Sequence, residues 1–155
     1  MSGVIRPAKF QDIPRLVELA CEMHKKSRYA AYKEDVKAFK QACMESIRSG
    51  SHFLYVTEID DVVEGYLIGI TAPLYVFTKA TYATDIGFYV SDKGRGGALA
   101  LAAAFDTWAR EEQGVAEVWL AVTDAVNEDW ARLGKAYTRM GYKLRGGIYM
   151  KRTEQ

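Results

Sequence analysis

The chain has 155 residues, 49% of them hydrophobic and 12% aromatic, with 21 Lys and Arg against 20 Asp and Glu. That length suits a single domain, residues 1–155, around one core; the aromatic content excludes a disordered chain, and the near-balanced charge gives no reason to expect nucleic acid or an anionic membrane as a partner. Its two cysteines, Cys21 and Cys43, lie in segments that read as helices, which excludes a disulfide framework and fits a reducing, cytoplasmic compartment; the opening residues lack the apolar run of a signal peptide or membrane span.

Val4-Ile5-Arg6 reads as a short strand that Pro7 ends. Ile13, Leu16, Val17, Ala20 and Met23 then recur at helical spacing, with Asp12 placed to cap the start and Pro14 tolerated in the first turn. A second helix is expected through Val36, Phe39, Cys43 and Ile47, stopping near Ser49-Gly50. His52 to Thr57 and Val62 to Ala72 are β-rich runs joined by Asp60-Asp61, an antiparallel hairpin, and Pro73 ends the second. Residues 73–82 are aromatic but weakly patterned; Tyr75, Phe77 and Tyr82 there suit an acceptor-pocket wall, the interface of a homodimer, or ordinary packing. Thr84 to Val90 is an apolar run expected to be a buried strand.

A glycine-rich loop, Lys93-Gly94-Arg95-Gly96-Gly97-Ala98, follows that strand directly. Leu101, Ala102, Phe105, Trp108 and Ala109 then mark a helix that Gly114 stops. Glycines between a buried strand and a helix let backbone amides approach a phosphate at the helix's positive end, and Lys93 and Arg95 add charge. The same glycines also suit a plain tight turn. A P-loop is excluded because no Lys-Ser or Lys-Thr pair follows the glycines, and a dinucleotide fingerprint because the loop comes late, after an antiparallel hairpin. Ala116 to Val122 reads as another buried strand. Trp130, Leu133, Tyr137 and Met140 mark a last helix ending at Gly141, and Tyr142 to Arg145 and Ile148 to Lys151 flank Gly146-Gly147 as a closing hairpin.

This order, β-α-α-β-β-β-α-β-α-β-β, resembles the GCN5-related N-acetyltransferase superfamily over the full chain. The loop is similar to the family's [Q/R]-x-x-G-x-[G/A], with Lys93 in place of Gln or Arg. A second frame led by Arg95 keeps the arginine but puts Ala98 where the family has Gly; helix periodicity favours the Lys93 frame. Ile5-Arg6-Pro7-Ala8 with Asp12, and Tyr137-Thr138-Arg139-Met140-Gly141-Tyr142, which looks like Y-x-x-x-G-[F/Y], extend the resemblance. It implies an α/β (α+β) fold with a mixed sheet of about seven strands and about four helices.

The resemblance also implies acetyl-CoA as cofactor, an amine of a small molecule or protein as acceptor, and direct attack of the amine on the thioester. The pyrophosphate would sit at Lys93, Gly94, Arg95, Gly96, Gly97 and Ala98, and the pantetheine arm along the backbone of Phe88, Tyr89 and Val90. Tyr137 matches the family's proton donor, against a plain core role beside Trp130 and Leu133. Asn127 stands where the family has a pantetheine contact, although an N-cap role explains it better. Asp85 and His24 are the candidate bases; either also fits a structural part. Cys21 with His24, and Cys43 and His52, lack the spacing of a metal site, so no metal is expected. The alternative is a catalytically inactive member of the same fold that binds acyl-CoA or serves as a regulatory or interaction protein.

Overall fold

The computed structural model describes residues 3–122 and 130–153, which fall into two compact units, Met1–Ala121 and Val122–Gln155. In the first, the chain runs β1 (Val4–Pro7), α1 (Ile13–Lys26), α2 (Val36–Arg48), β2 (His52–Ile59), β3 (Val62–Pro73), β4 (Thr81–Val90), α3 (Gly97–Thr107) and β5 (Glu117–Trp119). The second holds α4 (Trp130–Arg139).

The five strands form one sheet in sequence order. β1 to β4 pair antiparallel, and β5 joins β4 in parallel. Side chains alternate across a pleated strand, so each face of this sheet builds its own core. Leu54, Val56, Tyr66, Ile68 and Tyr89 meet Leu16 and Leu19 of α1 and Cys43 of α2 on one face. Phe53, Leu67 and Ala83 meet Leu101, Phe105, Trp108 and Ala109 on the other. The spacing read for the helix after the glycine loop is thus the spacing that packs, and beyond Thr107 the helix widens into a π turn, Trp108–Glu112, before Gly114.

Local chemistry sets most of the ends. The Asp35 carboxylate caps α2 by accepting from the Ala38 amide at 2.9 Å. Asp12 precedes α1, yet it makes no cap bond to that helix. It instead takes a two-pronged bond from Arg6 at 2.8 and 3.0 Å and one from the Lys9 amide at 2.7 Å, while Arg6 also reaches Glu58 at 3.0 Å. Asp60 and Asp61 both take positive φ, 50° and 65°, as a two-residue turn between right-twisting strands requires.

The expected count of strands and their order need correction. Five strands are present among the described residues, and the closing hairpin over Tyr142 to Arg145 and Ile148 to Lys151 does not form. Leu144, Ile148, Tyr149 and Met150 are exposed there. A two-stranded ribbon without a covered apolar face is at best marginal, so the Gly146-Gly147 signal does not suffice. The strand expected over Ala116 to Val122 shrinks to Glu117–Trp119, with both end residues exposed rather than buried.

In the second unit, Gly141 has φ 96° and ends α4. The Tyr142 amide donates to the Tyr137 carbonyl at 3.1 Å and the Gly141 amide to the Thr138 carbonyl at 3.0 Å, the paired bonds of a Schellman cap. The Tyr137 and Tyr142 rings lie 5.9 Å apart, supplying the apolar contact that accompanies such a cap.

Candidate functional site

Two irregularities shape β4. Ile68 pairs with Gly87 and Gly69 with Asp85, so Ile86 is a bulge residue without a partner on β3, and its side chain is exposed. On the other edge, β5 pairs only with Tyr82, Ala83 and Thr84. From Asp85 to Val90 that edge has no strand partner among the described residues, which leaves a row of backbone donors and acceptors for something else to use.

The strand leads into the glycine loop, which is tied down from beneath. Glu64 sits at a second bulge, where the β2–β3 register shifts between Thr57 and Glu58, and its side chain is buried. Its carboxylate accepts from Ser91 Oγ at 2.9 Å and from Arg15 Nη2 at 2.7 Å, and its carbonyl accepts from the Ser91 amide at 2.8 Å. Arg15 also donates through Nε to the Val63 carbonyl at 2.8 Å. Gly94 lies directly on Glu64, where a Cβ would come within 3.0 Å of the Glu64 carbonyl oxygen. Gly97 opens α3 against the fully buried Thr57, with 2.7 Å between a would-be Cβ and Thr57 Oγ1.

Between them, Gly96 takes φ 95° as the N-cap of α3, with open space where a Cβ would stand. The first-turn amides of α3 have no acceptor within the helix, and Lys93 and Arg95 are exposed beside them. An open, glycine-lined helix start with two cations matches what a pyrophosphate needs. The loop's amides and the free edge of β4 are continuous along the chain.

The other expected residues have definite places. Tyr89 points its side chain to the α1 face, where its hydroxyl donates to Glu22 and accepts from Lys26 Nζ at 3.2 Å. Burial, then the bond to Glu22, make that phenol a weaker acid than an ordinary tyrosine. Phe88 and Val90 pack on the α3 side. Burial also pushes the Asp85 carboxyl above the ordinary aspartate range, against the pull of its amide bonds, of which one comes from Ala121 at 3.0 Å. His24 Nε2 bonds the Tyr32 carbonyl at 2.8 Å, which ties it to the segment after α1. Tyr137 is buried in α4 of the second unit, and Asn127 lies outside the described residues. Among the described residues no three His, Cys, Asp or Glu side chains gather as metal ligands.

Glu64, Thr57 and the Glu22–Tyr89–Lys26 cluster were not singled out from the sequence. For Glu64 a signal exists: it is the lone acid in the apolar run Val62 to Ala72.

No protein-family model and no curated protein matches the chain. Solved structures do. Ribosomal-protein-alanine N-acetyltransferase from Brucella melitensis biovar Abortus 2308 superposes with a TM-score of 0.70 at 17% identity, covering 99% of this chain and 100% of that one. The aminoglycoside acetyltransferase AAC(6')-Iy, bound to a bisubstrate analogue of coenzyme A, gives 0.73 at 16% identity over 100% of both chains. AAC(6')-Ih from Acinetobacter baumannii gives 0.70 at 15% identity over 99% and 100%. The fold is that of the GCN5-related N-acetyltransferases. Within that fold, the bulged β4 with its open edge and the helix start that follows it form the candidate site.

Proposed function

We propose that this chain is a GCN5-related N-acetyltransferase that moves an acetyl group from acetyl-CoA to an amine of a small molecule or protein. One observation carries the reading: the edge of β4 that has no strand partner among the described residues runs without interruption into the open, cationic start of α3. Phosphate oxygens suit the amides of Gly96, Gly97 and Ala98 with Lys93 and Arg95 beside them, which favours the Lys93-led frame of the loop. An extended amide-bearing arm suits the backbone of Phe88, Tyr89 and Val90, in the manner of an added strand.

Bound acetyl-CoA supplies an activated thioester. The backbone groups of β4 orient it, and a backbone amide there polarises its carbonyl as the amine attacks directly. One proton must leave the amine and one must reach the departing thiolate. Tyr137 is assigned the donor role, since a phenol ordinarily still carries its proton at neutral pH and can donate it, or a hydrogen bond, to the departing thiolate. Asp85 and His24 are the candidates for the acceptor.

Thermal denaturation with coenzyme A tests the binding half: a ligand at 100 times its Kd raises stability by about 2.7 kcal/mol, a readily measured shift in midpoint. Thiol release from acetyl-CoA over a panel of amines and peptides tests the transfer half. Gly96→Glu sets a carboxylate among the first-turn amides and should abolish binding, whereas Gly96→Ala carries only the strain of a left-handed residue, about 1 kcal/mol. Binding without turnover across the panel would favour the catalytically inactive alternative, and no shift with coenzyme A would remove both.

A further inference from the structure

The place where β5 leaves β4 gives Asp85 a task that involves no proton transfer. The Ala116 amide donates to the Thr81 carbonyl at 2.8 Å, and the parallel pairs Tyr82 with Glu117, Ala83 with Val118 and Thr84 with Trp119 follow. The Leu74 amide donates to the Ala80 carbonyl, so Tyr82 and Thr84 turn their backbone groups to β3, and Thr81, Ala83 and Asp85 turn theirs to β5. The parallel register then sets the Glu117, Trp119 and Ala121 amides toward β4, and the acceptor next in line for Ala121 is the Asp85 carbonyl. The Ala121 amide instead donates to Asp85 Oδ1 at 3.0 Å, so a side chain, not a backbone carbonyl, takes the rung at which the ladder stops.

A carboxylate reaches beyond its own backbone, so the segment it holds stands farther off than ladder spacing, about 4.8 Å, would put it. On the opposite edge of β4 the adjoining residue, Ile86, is the bulge. Both departures from regular pairing fall at one step of β4, where the paired strand becomes an open edge.

We infer that Asp85 is a positioning residue of the cofactor slot: by holding the Ala121 amide it ends the β4/β5 ladder and keeps the edge from Ile86 to Val90 free for the arm of an acyl carrier. The inference rests on the coenzyme A reading of the site, and it gives Asp85 a holding role in place of proton transfer.

Two variants separate the roles of oxygen and charge. Asp85→Asn keeps an acceptor at the Oδ1 position, whereas Asp85→Ala has none. Hydrogen exchange of the Ala121 amide, followed by NMR without ligand, reports on the bond; calorimetry with coenzyme A reports on the slot. The asparagine variant should protect Ala121 and bind within about threefold of the parent, and the alanine variant should exchange Ala121 and lose affinity, each by about tenfold, while still unfolding cooperatively. Equal protection of Ala121 in the alanine variant, or equal losses of affinity in both variants, overturns the proposal. Should Asp85→Ala not fold, Asp85→Asn decides alone: parent-like protection and affinity support the holding role, and their loss overturns it. Failure of the parent protein to bind coenzyme A would sink the reading of the site, whereas the ligand-free exchange data test the ladder independently.

Discussion

Gly97→Ala tests how closely α3 is seated on the sheet. The added Cβ would lie 2.7 Å from Thr57 Oγ1 and 2.8 Å from Thr57 Cγ2. Thr57 is 0% exposed, in mid-strand, and has no room to swing away. Ordinary contact begins near 3.4 Å, so the start of α3 must back off by about 0.7 Å, an overpacking that costs about 2 kcal/mol. With a urea m-value of about 2 kcal/mol/M, the unfolding midpoint falls by about 1 M. The displaced amides should also weaken coenzyme A binding, although no group that touches the ligand has been removed. Thr57→Ala deletes both nearest atoms. Alone it should stay within about 1 kcal/mol of the parent, because a small cavity is offset by loss of a buried hydroxyl with no hydrogen-bond partner among the described residues. In that background Gly97→Ala should cost under about 1 kcal/mol, a coupling of more than 1 kcal/mol between the two sites. Urea titrations of the four proteins by circular dichroism measure the cycle. Equal penalties in both backgrounds would refute the seating of α3 described here.

Asp60→Asn with Asp61→Gly places the residues that tolerate positive φ at the β2–β3 turn and should raise stability by about 1 kcal/mol, read as a higher thermal midpoint. The Arg6 guanidinium holds the Asp12 carboxyl below the ordinary aspartate range. A lowered folded value means that this stability is present above the unfolded value and lost as pH falls through the folded one. Asp12→Asn should therefore be less stable than the parent at neutral pH, by about 2 kcal/mol, with the gap closing below about pH 4. Chemical denaturation at several pH values checks the sign. Cys43 is fully buried and its thiol is pushed up to about 11 by desolvation, whereas Cys21 is half-buried. Iodoacetamide with peptide mass mapping should label Cys21 well before Cys43 in the native protein.

The helices were legible because each carries its own packing face and its own ends. Ile13 and Leu16, Cys43, and Leu101 with Phe105 are all buried where helical spacing put them. Asp35 and Gly141 punctuate their helices by local bonds that need no distant partner. Asp12 misled, because a carboxylate before a helix has a local option, and Arg6 offered a two-pronged one instead. The strands past α3 were less legible for a related reason. Nothing in Glu117 to Trp119 fixes how long β4 stays alongside, and the Gly146-Gly147 turn signal lies among residues with no covered face.

The candidate site divides in the same way. Its loop could be read from glycines whose need is written into the backbone, φ 95° at Gly96 and contact with Thr57 at Gly97. Its supports could not, since Glu64 reaches Ser91 across 27 positions of sequence and Ala121 meets Asp85 across 36. Both supports act at bulges or beside them, where the two-residue period of a strand breaks and pattern reading loses its phase. Tyr137 is the instructive case. Its spacing to Gly141-Tyr142 is accounted for by the Schellman cap of α4, since any residue at that position lends its carbonyl to the Tyr142 amide. The cap needs a carbonyl and an apolar ring but not a hydroxyl. Tyr137→Phe therefore isolates the proposed chemistry: it should leave the cap and coenzyme A affinity intact and lower kcat about 100-fold. An unchanged kcat would reduce the Y-x-x-x-G-Y pattern in this chain to a helix ending.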